Sequence, residues 1–376
     1  MNSIPLVDLK AAHAEVADEV RQGFDRILAA TAFVGGAEVA SFEQEYARFG
    51  GVRHCVGVAN GTDALELALR AIGIGPGDEV VLPANTFIAT AEAVANAGAR
   101  PVFADCDPRT YLLDVAAALA AVTERTKAII PVHLYGQLAP VEELTKELAG
   151  TEVRVVEDAA QSQGATRDGR TAGSGPGAIA ATSFYPGKNL GAYGDAGAVT
   201  TDDPHLEDVV RTLANHGGRT KYAHDLIGRN SRLDGLQAVV LRAKLARLAG
   251  WNEARRAAAA RYDELLAGID AVVRPVTLDG NEHVWHLYVV RVGEPGDDGS
   301  RRDEVVGKLN AEGIGAGVHY PHALHRTVAF ADAGYGPGSF PAAEDAAARI
   351  LSLPLHPHIT ASDQERVVEA LAGALR

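Results

Sequence analysis

Cysteine is scarce in this sequence of 376 residues: only Cys55 and Cys106 are present. Two thiols are too few for a disulfide framework and lack the paired spacing of a zinc site, so they suit a reducing compartment. Long apolar runs are missing as well. No segment reaches the ~18 uninterrupted apolar residues of a membrane span, and residues 1–10 lack the basic stretch and apolar core of a secretory signal. The expected location is cytoplasmic, with no membrane partner. Positive charge is in short supply, 35 Lys and Arg against 49 Asp and Glu, for a net charge of -14. A general nucleic-acid binder needs clustered cations to neutralise phosphates, so no nucleic-acid partner is expected, and any anionic ligand must be met by local positive groups. Internal repeats and low-complexity tracts are also absent, which removes solenoids and fibrous architectures.

What is present is an ordinary globular composition, 47% hydrophobic and 22% charged, in a chain long enough for a large domain and a smaller one. An amphipathic pattern over residues 11–30 predicts an opening helix, broken at Gly35-Gly36. Seven short apolar runs follow, at residues 55–58, 79–82, 101–104, 128–132, 153–157, 180–184 and 197–201. Helical stretches such as 63–72 and 141–148 lie between them, which is the pattern of an α/β fold with a mainly parallel sheet covered by helices. A long Ala-, Leu- and Arg-rich helix over 237–266, with Gly250 as a candidate break, leads to a second domain. There a strand at 286–292, a helix at 302–312, a strand end at 318–320 and a closing helix at 362–375 are expected. The expected division is residues 1–245 and 246–376.

Ligands of such folds gather at the carboxyl ends of the strands, and three groups of residues fall there. Asp158 ends the run Val153-Arg154-Val155-Val156-Glu157; its carboxylate either caps a following helix or faces a cation such as a ring nitrogen. Lys188 follows Ser183-Phe184-Tyr185-Pro186-Gly187. Its amine is either solvated on the Pro-Gly turn or buried among apolar neighbours, where a lowered pKa makes it a nucleophile for Schiff-base chemistry. Gly191, Gly194 and Gly197 would let backbone crowd against a bound group. Asn60-Gly61-Thr62-Asp63 joins the first strand to a helix, either as a plain N-cap or as a cradle for phosphate. Other chemistries fit poorly. Gly73-Ile74-Gly75-Pro76-Gly77 precedes a strand, the wrong order for a dinucleotide fingerprint, and Gly187-Lys188 is followed by Asn189, which breaks a P-loop. Pro321 interrupts any helix that would align His319, His322 and His325 on a metal, so no metal is expected.

Together, Gly61-Thr62-Asp63-Ala64-Leu65, Glu157-Asp158-Ala159-Ala160-Gln161, residues 183–188 and Gly228-Arg229-Asn230-Ser231-Arg232-Leu233-Asp234 resemble the sugar aminotransferases of the DegT/DnrJ/EryC1/StrS family. The likeness runs from Ile4-Pro5-Leu6-Val7-Asp8-Leu9 through Pro83-Ala84-Asn85-Thr86-Phe87 to Val318-His319-Tyr320-Pro321. It implies a fold-type I enzyme dependent on pyridoxal 5'-phosphate, with pyridoxamine 5'-phosphate as its intermediate form, and a homodimer with shared active sites. By the same resemblance Lys188 carries the cofactor and Asp158 pairs with its ring nitrogen. Phe87 stacks on the ring, Gln161 meets the ring hydroxyl, Gly61, Thr62 and Ser183 hold the phosphate, and Asn230 reaches in from the other subunit. L-Glutamate is the implied amino donor and a nucleotide-linked ketosugar the acceptor. A lysine at position 188, where dehydratase relatives carry histidine, favours transamination. The Gln161 form of the motif points to amination at C3 of a 3-keto-6-deoxyhexose linked to dTDP, with C4 amination or a cyclitol ketone as the alternatives. Tyr185, His319 and Tyr320 are implied near the sugar, and Arg219, Lys221 and Arg229 near the diphosphate. A noncatalytic sugar sensor on the same scaffold is the reading from another class.

Overall fold

The alternation of short apolar runs and helical stretches closes into a mixed sheet in the computed structural model, which describes residues 3–175, 177–220 and 222–376. Two helices lead, α1 (Leu9–Ala30) and α2 (Ala37–Phe49). α1 starts where the Asp8 carboxylate accepts from the Ala11 N–H at 2.8 Å, and it buries Val16, Val20 and Ile27 along one face. Strands and helices then alternate as β1 (His54–Val58), α3 (Gly61–Ala71), β2 (Glu79–Pro83), α4 (Ile88–Asn96), β3 (Arg100–Ala104), α5 (Val115–Ala120), β4 (Thr126–Ile129), α6 (Val141–Glu147) and β5 (Arg154–Asp158). A short β6 (Thr166–Arg167) precedes β7 (Ile179–Ser183), β8 (Gly197–Thr201) and α7 (Pro204–Ala214).

The seven-stranded sheet has the order β1-β8-β7-β5-β4-β2-β3. Neighbours from β7 to β3 run parallel, while β8 lies antiparallel to both β7 and β1. β1 therefore points the same way as the parallel strands, and the carboxyl ends of β1, β2, β5 and β7 share one edge. Val80, Val81 and Leu82 of β2 are fully buried, as expected of strands covered on both faces. All seven apolar runs became sheet strands. β4 starts at Thr126 and ends at Ile129, before Pro131, leaving Val132 in a lone bridge to Asp158.

α8 (Gly235–Leu265) packs on α1 and α2 and runs unbroken through Gly250, which is exposed and has open space around it. Beyond it come β9 (Val272–Val273), β10 (Asn281–Glu282), β11 (Tyr288–Val292), α9 (Ser300–Ala311), α10 (Pro341–Arg349), β12 (Ile350–Leu353) and α11 (Ala361–Leu375). β11 pairs with β12 and β9, and β10 pairs back to β6. Tyr262, Tyr288, Val305, Leu351 and Leu371 form a core of their own there, which Ile4 joins as its N–H donates to Gly313 O at 2.9 Å. No strand forms at 318–320; Gly317 makes an isolated bridge to Ser352 instead. No helix among the described residues is long and apolar enough to cross a membrane.

Candidate active site

Successive residues of a strand point to opposite faces, and at the end of β5 this divides two acids between two tasks. Glu157 and Asp158 are both buried. Glu157 accepts from His133 Nε2 at 2.9 Å, from Arg170 and from the Gly173 N–H. Burial alone would push its carboxyl up, but His133 and Arg170 outweigh burial and hold it at about 2. Because His133 Nδ1 accepts from the Ala139 N–H at 3.0 Å, its proton sits on Nε2. Asp158 has no cation bonded to it among the described residues. Its Oδ2 accepts from Thr90 Oγ1 at 2.8 Å and its Oδ1 from the Ala160 N–H at 3.1 Å. Burial raises its pKa, and these two donors, Lys188 and His133 offset that only in part. A turn rather than a helix follows Asp158, so the capping role reduces to the single Ala160 bond. A buried carboxylate raised in pKa favours a cationic partner, and a protonated pyridine nitrogen is such a partner.

Lys188 lies across the same edge, at the end of the turn after β7. Its N–H donates to Tyr185 O at 2.8 Å, closing a turn with Pro186 and Gly187 in the middle. The turn is tight: a Cβ on Gly191 would lie 2.3 Å from Pro186 O. Next to the lysine, Asn189 Nδ2 donates to Asn252 Oδ1 at 3.0 Å and to Val284 O at 2.9 Å, which anchors the turn to α8 and to the segment before β11. Burial lowers the Lys188 amine to about 8, although Asp158 pulls it upward. An amine of that basicity is partly neutral near physiological pH and competent as a nucleophile and base.

At the end of β1, Asn60 caps α3 by accepting from the Asp63 N–H at 2.8 Å. The Gly61 and Thr62 N–H groups belong to the unpaired first turn of the helix, and among the described residues neither has an acceptor. Ser183, at the end of β7, abuts this turn so closely that a Cβ on Gly61 would lie 2.5 Å from Ser183 Cβ. The N–H groups of Gly61 and Thr62 and the Ser183 hydroxyl thus lie at one helix N-terminus, a site suited to a phosphate. The residues fit pyridoxal phosphate at both ends, the phosphate here and the ring nitrogen at Asp158.

The remaining expected residues are spread more widely. Phe87, half exposed, and Tyr320 face each other with ring centroids 5.4 Å apart. Gln161 accepts from the Tyr135 N–H at 2.7 Å and donates to the Tyr320 hydroxyl at 3.2 Å, so its amide is fixed with nitrogen toward Tyr320. His319 bonds Ser352 through Nδ1 at 2.8 Å, and burial with the nearby Lys188 charge lowers its pKa to about 4. Tyr185 is exposed beside the lysine turn. Asn230 stands apart, on an exposed stretch, bonded to Arg232 and bridged to Asn215. Arg229 pairs with Glu66 and Asp63 of α3, and Arg219 with Asp208, so both guanidiniums are engaged. Lys221 lies outside the described residues. His325 is bound to Glu344 and His319 to Ser352, on separate partners.

Sequence reading did not find Thr90, the donor to Asp158, nor the His133–Glu157–Arg170 cluster that braces the same strand end. It also passed over His286, which is buried against Asn189 at 3.3 Å and whose pKa is lowered by burial and by Lys188. Thr90 carries a usable signal, since it lies three positions after Phe87 on the helix that follows β2.

Residues 14–372 match the model of the DegT/DnrJ/EryC1/StrS aminotransferase family. A dTDP-3-amino-3,4,6-trideoxy-alpha-D-glucose transaminase of Streptomyces venezuelae is 45% identical over 98% of this chain and 95% of its own length. A UDP-N-acetyl-3-dehydro-alpha-D-glucosamine 3-aminotransferase of Acidithiobacillus ferrooxidans is 45% identical over 99% and 98%. A pleiotropic regulatory protein of Geobacillus stearothermophilus is 43% identical over 100% and 99%. Among solved structures, DesV of S. venezuelae in complex with a ketimine intermediate superposes with a TM-score of 0.94 at 44% identity, covering 100% of both chains. With a lysine, a buried acid and a helix N-terminus suited to a phosphate on one sheet edge, this chain belongs to the DegT/DnrJ/EryC1/StrS family of sugar aminotransferases, enzymes that depend on pyridoxal phosphate.

Proposed function

We propose that this protein transfers the amino group of L-glutamate to C3 of a dTDP-linked 3-keto-6-deoxyhexose, in the biosynthesis of an amino-deoxysugar. The observation that carries the chemistry is the pairing, on one strand-end edge, of a lysine lowered to about 8 with a buried carboxylate. Two relatives named for amination at C3 support the position, and one of them supports the nucleotide.

Pyridoxal phosphate, when bound, supplies a carrier for the amino group and a ring that takes up electrons from the breaking Cα–H bond. The protein does the rest. Asp158 keeps a proton on the ring nitrogen. Lys188 Nζ takes the proton from the donor's Cα and returns it within the site, and the steps run in reverse on the sugar. Gly61, Thr62 and Ser183 hold the phosphate, assisted by Asn230 of a second subunit in a homodimer. Phe87 packs on the ring and Gln161 holds its hydroxyl. Tyr185, His319 and Tyr320 line the sugar site, where a neutral His319 adds no charge against the lysine.

The test uses the enzyme in its aminated cofactor form with dTDP- and UDP-linked 3-keto and 4-keto sugars, reading products by mass and NMR. A 3-amino dTDP-sugar is expected, and a 4-amino product would reject the assigned position. Lys188→Ala should bind the cofactor noncovalently and lose turnover by on the order of 10³-fold or more. A colourless protein unchanged by added cofactor and glutamate would favour the sensor over the enzyme.

A further inference from the structure

A small cavity borders the lysine turn on the side of α1 and α8. At about 20 Å³ it has room for one sphere the size of a water or a halide, and its lining includes Asp8, Lys188, Lys244, Trp251, Arg255 and His356. Two of these are buried polar groups without full partners among the described residues. Arg255, 3% exposed, donates from Nη1 to Trp285 O at 3.3 Å and Leu355 O at 3.0 Å, while its Nε has no acceptor. His356, 4% exposed, has no partner at either ring nitrogen.

Among the described residues the charges lining the cavity itself do not balance, Lys188, Lys244 and Arg255 standing against Asp8, while Glu15 is already engaged by Trp251 and His358. Lys244 Nζ donates to Gly191 O at 2.6 Å and lies 4.8 Å from the Tyr193 ring centroid, and among the described residues it pairs with no acid. Burial lowers Lys244 to about 8 and Arg255 to about 10, and no carboxylate offsets either. Asp8 is the one acid in the lining, and its Oδ1 is already taken by the Ala11 N–H. Burial, with Arg255 and His358 nearby, brings His356 to about 4 despite Asp8 and Asp363, so at neutral pH it is an uncharged ring with one N–H to donate. A water molecule would fill the space and accept a hydrogen bond, but it would leave the excess positive charge uncompensated.

We propose that this cavity binds one halide-sized monoanion, held by Arg255 and His356 next to the Lys244 ammonium. The anion ties together the lysine turn, the start of α1 and α8 with the carbonyls of Trp285 and Leu355. Its binding is independent of which sugar the enzyme aminates.

Crystals of the holoenzyme grown in bromide test the site. One anomalous peak is expected within hydrogen-bond distance of Arg255 and His356, absent in Arg255→Met and weaker in Lys244→Met. In solution, replacing gluconate by chloride at fixed ionic strength should raise Tm saturably by roughly 2–4 °C for the wild-type holoenzyme. The same exchange should leave Arg255→Met unmoved. An empty or water-filled cavity in wild-type bromide crystals, or a chloride response no different from gluconate's, overturns the proposal; both readings use the wild type, so they stand even where a variant fails to fold.

Discussion

Two opposing effects act on the Lys188 amine. Burial penalises the ammonium, Asp158 favours it, and burial prevails, leaving the group at about 8 against an ordinary 10.5. Below that value the amine is protonated and cannot attack an aldehyde; above it the free amine is present. In cofactor-free protein mixed with pyridoxal phosphate, the rate of covalent attachment should therefore rise through about pH 8 and then level off. Asp158→Asn removes the group that opposes burial, so the midpoint should move lower in that variant. Absorbance stopped-flow across pH measures both. A wild-type midpoint near 10.5 would mean that the amine is solvated and the lysine turn open.

At the scale of elements, the phosphate cradle depends on how closely α3 approaches β7. Gly61→Ala places a methyl 2.5 Å from Ser183 Cβ, and the helix must back away from the hydroxyl proposed to share the phosphate. Cofactor affinity should fall by about tenfold or more, a cost of ~1.4 kcal/mol or greater. Gly75→Ala, where a Cβ meets nothing within 4 Å, is the matched control, and spectrophotometric titration of both with pyridoxal phosphate reads the difference. The elements that build this cradle were readable from sequence because each strand is a short apolar run and its carboxyl end carries a polar signal. The contacts between elements were not. Thr90 meets Asp158 across 68 positions, and Arg170 reaches Glu157 from a loop with no periodicity. The strand expected at 318–320 failed for a related reason: His319 and Tyr320 are held by Ser352, Tyr135 and Gln161 rather than by a ladder. Gly250 did not break α8, because Trp251, Asn252 and Arg255 are buried just beyond it and carry the helix onward.

At the scale of the whole molecule, one expected phosphate ligand does not join the others within the chain. Asn230 lies on an exposed stretch with Tyr222, Leu226 and Ile227, and nearby Phe33 and Val34 are exposed as well. A groove of about 670 Å³ lies between α2 and α7, lined by Val34, Val39, Glu43, Arg211, Arg219 and Arg232 among others. Exposed apolar side chains such as Phe33, Val34, Leu226 and Ile227 are better covered than solvated, and a two-fold dimer would cover them while carrying Asn230 into the neighbouring site. Light scattering should give twice the mass of the chain. Complementation tests the sharing itself. Lys188→Ala and Asn230→Asp are each expected to impair activity, the second by placing a negative charge against the phosphate. When the two variants are unfolded and refolded together, half of the dimers are mixed, and one site in each mixed dimer has a native lysine and a native asparagine. Activity should then recover to about a quarter of wild type. If Asn230 serves its own chain, every site in the mixture keeps a defect, and mixing restores nothing.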